Sequence, residues 1–150
     1  MLRLTDSPFS PGEALAAFGS GAKGAGAIVS FSGLVRDAAS SGDVRSLYLQ
    51  AYSPLTERGI EQAMNEAEAR WPLIALQVIH RTGEMEPGEA IVFVAAASAH
   101  RRAAFEAADF LMDYLKTGAI FWKKEVTQTG EHWIEPRAED YQDSARWQKT

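Results

Sequence analysis

Two dense apolar runs lie close together in the middle of the chain, LIALQVIHRTG (residues 73–83) and EAIVFVAAAS (89–98). A strand with one wet face alternates apolar and polar residues; runs this continuous read as strands buried on both faces. The intervening EMEPGE supplies the proline and glycine of a turn, so the two pair as neighbours at the centre of a sheet. Such a pair can be covered only by further layers, and the flanking sequence offers helices to make them.

The segment 98–118, SAHRRAAFEAADFLMDYLKTG, is the most strongly patterned helix. Ala104, Ala108, Leu111 and Leu115 form an apolar stripe, while Arg102, Glu106, Asp109, Asp113 and Lys116 form a polar one. Ser98 is expected as its N-cap and Gly118 as its end. A second helix is expected over 53–71, with Ser53 as cap, Pro54 in its first turn and Pro72 beyond its end. A third begins at SPGEALAAF, where Ser10, Pro11 and Glu13 make a capping signal. Alternation predicts strands over 27–36 and 45–52, read as a hairpin across a flexible loop, DAASSGDV (37–44). Shorter strands are expected at 2–5, 119–127 and 131–136, with a polar tail from about residue 137. The order β-α-β-β-α-β-β-α-β-β-α indicates one α+β domain over 1–150, a mixed or mainly antiparallel sheet packed by helices.

Composition narrows the chemistry. The chain has no cysteine, which excludes disulfides, thiolate metal sites and a cysteine nucleophile, and prevents it from carrying sulfur on a thiol of its own. Its three histidines lack metal-ligand spacing, so neither metal nor cofactor is expected. A net charge of −5 argues against a general nucleic-acid surface, and any anion site must be a local cluster. No apolar run approaches a membrane span and no secretion signal is expected, so the default location is the cytoplasm. GSGAKGAG (19–26) lacks the order of a phosphate-binding P-loop and reads as a connector.

Three stretches could carry chemistry. DYLKTGAIFWKKE (113–125) runs Lys116, Lys123 and Lys124 among aromatic residues. Lys116 suits a helix C-terminus on electrostatic grounds alone. Lys123 and Lys124 face opposite ways on a strand. Lys123 shares its face with Phe121 and Glu125, an acid/base group beside a carboxylate that orients it. Lys124 lies with Trp122 and Val126, which read as core. SAHRR places His100 and Arg101 at a helix start, where unpaired backbone N–H groups attract anions. Arg36 follows an apolar strand and precedes a loop, either paired with Asp37 or free to bind. His80 and Arg81, at another strand end, read as structural.

The strings FSGLVRD, VIHRTGEMEPGE, IVFVAAASAHRRAAFEAADFLMDYLKTGAIFWKKE and HWIE, in that order, resemble the large, catalytic subunit of molybdopterin synthase. That resemblance implies an α/β hammerhead fold with an additional small β-rich part. It implies transfer of sulfur to cyclic pyranopterin monophosphate (precursor Z), forming a dithiolene. It further implies a small ubiquitin-like partner whose Gly-Gly C-terminus carries the sulfur as a thiocarboxylate, and a homodimer within a heterotetramer. It implies neither a nucleic-acid nor a membrane partner. Family positions fall on Lys116 and Lys123 as catalytic residues, and on Arg36, His100 and Arg101 as substrate-anion contacts. Lys124 and Glu125 complete the substrate-binding set. Leu34 and Ile120 stand where some relatives carry lysine and proline. The alternative readings are a non-catalytic module that keeps only the partner site, or an unrelated phosphate-binding enzyme.

Overall fold

The computed structural model describes residues 1–39 and 42–148, the side chains of 39 and 42 excepted. Its elements follow the expected order with two short strands added: β1 (Leu2–Thr5), α1 (Pro11–Gly21), β2 (Ala27–Leu34), β3 (Ala38–Ala39), β4 (Gly42–Ala51), α2 (Leu55–Arg70), β5 (Leu73–Arg81), β6 (Gly83–Met85), β7 (Ala90–Ser98), α3 (Arg101–Thr117), β8 (Phe121–Thr127), β9 (Gly130–Trp133) and α4 (Ala138–Ala145), with a final 3-10 turn, Arg146–Gln148.

The first sheet has the order β1-β5-β7-β2. Its β1–β5 pair is parallel, and β5–β7 and β7–β2 are antiparallel. Strand β7 is central, and its two faces pack different layers. Val92, Val94 and Ala96 meet Ile60, Met64 and Ala67 of α2 and Leu111 and Leu115 of α3. Phe93, Ala95 and Ala97 meet Phe18 and Ala22 on the α1 side. This two-sided burial is why the run lacks alternation. Ala104, Ala107 and Ala108 of α3 are fully or almost fully buried, and their small side chains let the helix lie close against the sheet.

The second sheet runs β3-β4-β8-β9, with β6 also paired to β4. It encloses a separate core of Val35, Val44, Leu47, Leu49 and Met85, which Phe121 and Ile134 join from its edge.

Several local expectations are corrected. Strands β2 and β4 do not form a hairpin: β2 pairs with β7, and β4 crosses to the second sheet, where it pairs with β8. The twice-buried β7 needs a strand on each edge, and β2 supplies one. The loop expected at 37–44 contains β3 and the start of β4, paired Ala38 to Asp43, while residues 40 and 41 lie outside the described residues. Ser98 is not the cap of α3. His100 takes that position without a side-chain bond, and the Ser98 hydroxyl donates to the Pro72 carbonyl, 2.8 Å away. Helix α2 is preceded by Pro54 rather than capped by Ser53, and its first turn is tied down by Thr56 instead. Ser10 does cap α1, accepting from the Glu13 N–H at 3.2 Å. The polar tail is ordered onto α3, where the Arg146 guanidinium reaches Asp109 and Asp113 and the Trp147 indole donates to Asp113.

Candidate functional site at the two ends of helix α3

Helix α3 runs back along the first sheet, antiparallel to β7. Its C-terminal end therefore arrives where β5 ends at His80 and Arg81 and where β2 gives way to Arg36. Lys116 sits there, exposed, in the last turn. Backbone N–H groups of Gly118 and Ala119 both donate to the Tyr114 carbonyl and turn the chain into β8. A Cβ at Gly118 would stand 2.7 Å from the Tyr114 ring, so a larger residue in this turn would force that ring aside. Buried Thr56 fixes the same turn from outside. Its hydroxyl donates to the Ile120 carbonyl at 2.6 Å and accepts the Tyr52 N–H at 2.8 Å.

Strand β8 then carries Phe121, Lys123 and Glu125 inward. Phe121 stacks on the His80 ring, with centroids 4.3 Å apart and planes 21° from parallel. Lys123 is mostly shielded from solvent, and its ammonium pKa is lowered to about 8, first by burial and then by the charge of Lys116; Asp140 and Glu125 oppose the shift. Glu125 acts on Lys123 through its field: no ion pair joins them among the described residues. Asp140 comes from α4 and was not anticipated from the sequence. Burial works to raise its carboxyl, but the hydrogen bonds and charge of Arg137, with the charge of Lys116, outweigh that and hold it low. His80, read as structural from the sequence, has its pKa lowered to about 4 by burial, against its bond to Arg81 and with the help of Lys123 and Lys116. It is an uncharged ring beside two lysines.

Lys124 does not join this group. It lies on the opposite face, 3.4 Å from Glu131 and over the rings of Tyr48 and Trp133. The expectation that this face is core fails: Trp122 is 55% exposed and packs edge-on against Tyr52 and Trp133.

His100 and Arg101 lie at the other end of α3. A 17-residue helix at 1.5 Å per residue separates the two ends by about 25 Å. Both side chains are exposed. They border an open groove of about 560 Å³ with Gly26, Ala27, Phe105 and Glu106. Gly26 is pressed against the Ala99 backbone so closely that a Cβ would meet the Ala99 carbonyl oxygen. Arg102 also lines the groove, 3.6 Å from Glu106, so that Arg101, Arg102 and the His100 ring border it together. Arg36 is exposed and makes no ion pair with Asp37 among the described residues. By topology it belongs to the lysine end. The structure thus brings Lys116, Lys123 and Glu125 within one another's electrostatic reach at one end, with Arg36 on the same side of the sheet by topology alone, and leaves His100 and Arg101 at the other. Among the described residues no three metal-ligating side chains converge, and no helix is long and apolar enough to cross a membrane.

Comparison with known proteins gives one consistent result. The model of the MoaE protein family matches residues 4–118. The molybdopterin synthase catalytic subunit of Pseudomonas aeruginosa is 46% identical over 148 residues, 99% of each chain. The catalytic subunit of Caulobacter vibrioides is 49% identical over 147 residues, 98% of this chain and 97% of its own. Among solved structures, the MoaE protein from Burkholderia ambifaria superposes with a TM-score of 0.83 at 37% identity, covering 100% of this chain and 99% of its own. Molybdopterin synthase from Staphylococcus aureus gives 0.79 at 26% identity over 88% of this chain and 95% of its own. A chain matched over this much of its length, with the same two-sheet α+β architecture, belongs to the MoaE family of molybdopterin synthase catalytic subunits.

Proposed function

We propose that this chain, read as one catalytic domain, is the sulfur-transferring subunit of a molybdopterin synthase. It takes sulfur from the C-terminal thiocarboxylate of a small ubiquitin-like partner and delivers it to cyclic pyranopterin monophosphate. The observation that carries the reading is the convergence of Lys116 with the shielded Lys123, the two family positions, in a chain without a thiol. A protein that cannot hold sulfur itself needs a carrier, and a carrier's thiocarboxylate is an anion that a pair of lysines would attract.

Roles follow from position. Lys116, exposed in the last turn of α3, meets the thiocarboxylate and stabilises charge as sulfur departs. Lys123, with a pKa lowered to about 8, is charged at neutral pH yet gives up its proton readily. That suits a general acid protonating the oxygen that leaves the substrate. Glu125 favours the charged form of this ammonium through its field, and Arg36 holds substrate anion. Lys124, tied to Glu131 on the outer face, has the weakest support as a substrate contact.

His100 and Arg101 are too far along α3 to reach the same substrate within one chain. A second copy supplies them. Among the described residues β2 is an edge strand of its sheet, with Ile28, Phe31 and Leu34 exposed, the kind of edge that pairs with another chain. Two β2 strands set antiparallel would bring Arg36 of one copy near His100 and Arg101 of the other. The assembly is then a homodimer flanked by two carrier chains, acting in the cytoplasm.

Reconstitution tests the proposal. The purified chain, thiocarboxylated partner and precursor Z are combined, and dithiolene product is followed by oxidised-pterin fluorescence. Product is expected from the wild type. Complex formation without product would favour a non-catalytic partner-binding module.

A further inference from the structure

His80 is the buried titratable group that the roles above leave unused. It is 5% exposed near the end of β5. Its neighbours in register across the sheet are Leu4 and Val92, both apolar. Its Nδ1 lies 2.9 Å from the Arg81 carbonyl oxygen. A carbonyl only accepts, so Nδ1 carries the proton and Nε2 is bare. One face of the ring is covered by Phe121, which shares the inner face of β8 with Lys123 two residues on. The charges that act on the ring come from Lys123 on β8 and Lys116 on α3, while Glu125 on β8 and Asp140 on α4 act on Lys123 itself, and Arg81 stands next to it on its own strand. The Arg81 guanidinium is engaged by Glu89 and the Glu84 carbonyl.

A protonated imidazole here would add a third cation to Lys116 and Lys123. An uncharged ring does the opposite: it closes the wall behind Phe121 without competing for Glu125 or Asp140. We propose that His80 is a positioning residue for Lys123, its neutral ring tethered to the Arg81 carbonyl and backing Phe121 so that β8 presents Lys123 in a water-poor setting. The inference rests on the reading that Lys123 works in sulfur transfer, but its physical content can be measured without any reaction.

The test is the titration of Lys123 in the full chain, followed by NMR of ε-13C-labelled lysine, with the signal assigned by its disappearance in Lys123→Met. In the wild type the signal is expected to titrate at about 8. In His80→Ala the wall opens and water reaches the ammonium, so the midpoint should rise by about one unit or more. In His80→Phe the stack persists, and the rise should be less than half as large. Should the alanine variant fail to fold, His80→Asn, which also removes the ring, serves with the same expectation. A folded alanine or asparagine variant whose Lys123 titrates as in the wild type overturns the proposal, since a merely structural histidine would lower stability without moving that midpoint. A shifted midpoint in a chain whose wild type makes no product would instead sink the sulfur-transfer reading and leave the positioning role standing.

Discussion

The two ends of α3 use cationic side chains in opposite ways. At the C-terminal end, Lys123 is largely shielded, within the field of Lys116 and on the same strand face as Phe121, and its proton affinity drops. At the N-terminal end, His100 and Arg101 stand in an open groove over unpaired backbone N–H groups. Burial costs stability and alters chemistry; exposure does neither. On the proposed function the lysine end is where protons move and the groove is where an anion is held, although both look like basic clusters in the sequence.

The largest effect should come from Lys123→Ala and Lys116→Ala. Each should reduce product formation by about 100-fold or more in the reconstituted assay, the usual scale of a lost acid/base group. Equal losses of turnover from His100→Ala would break the contrast. Those groove substitutions should act on binding instead. His100→Ala or Arg101→Ala should raise KM for the pterin phosphate by about tenfold, on the scale of one charge-assisted hydrogen bond, with kcat little changed.

A third experiment weighs the cost of burial. Lys123→Met should abolish activity yet stabilise the fold by about 1–2 kcal/mol at pH 7 in urea denaturation, a figure discounted for the residue's partial exposure. The sign follows from proton linkage. The unfolded lysine keeps its proton up to about 10.5, while the folded one releases it at about 8. The wild-type fold therefore gains stability as pH rises through that window, and the methionine variant's advantage, full below pH 8, should fade by about 10.5. The smallest effect should come from Lys124→Met. Its ion pair with Glu131 is a surface contact, so stability should change by less than about 1 kcal/mol, and activity should stay within about twofold of wild type.

Much of the architecture was legible because it is local. The stripe of Ala104, Ala108, Leu111 and Leu115 is buried as its spacing demands, and the twice-buried β7 announced itself by lacking alternation. Strand pairing was less legible. Proximity in sequence favoured a β2–β4 hairpin, whereas the need to cover both edges of β7 placed β2 elsewhere. The division of Lys123 from Lys124 followed from strand alternation, although Trp122 faces solvent rather than core. His80 and Asp140 could not be tied to the lysines beforehand. They lie on β5 and α4, far along the chain, and only tertiary packing brings His80 against Phe121. The separation of SAHRR from Lys116, by contrast, was already implied by the predicted helix over 98–118, which sets them at its opposite ends.

The most direct test of the account is the pH dependence of single-turnover sulfur transfer, wild type against Lys123→Ala. With Lys123 as general acid, the wild-type rate should fall as pH rises through about 8, and the residual rate of the variant should lack that inflection. A wild-type rate flat across that range, or an unchanged inflection in the variant, would contradict the assignment of proton transfer to Lys123.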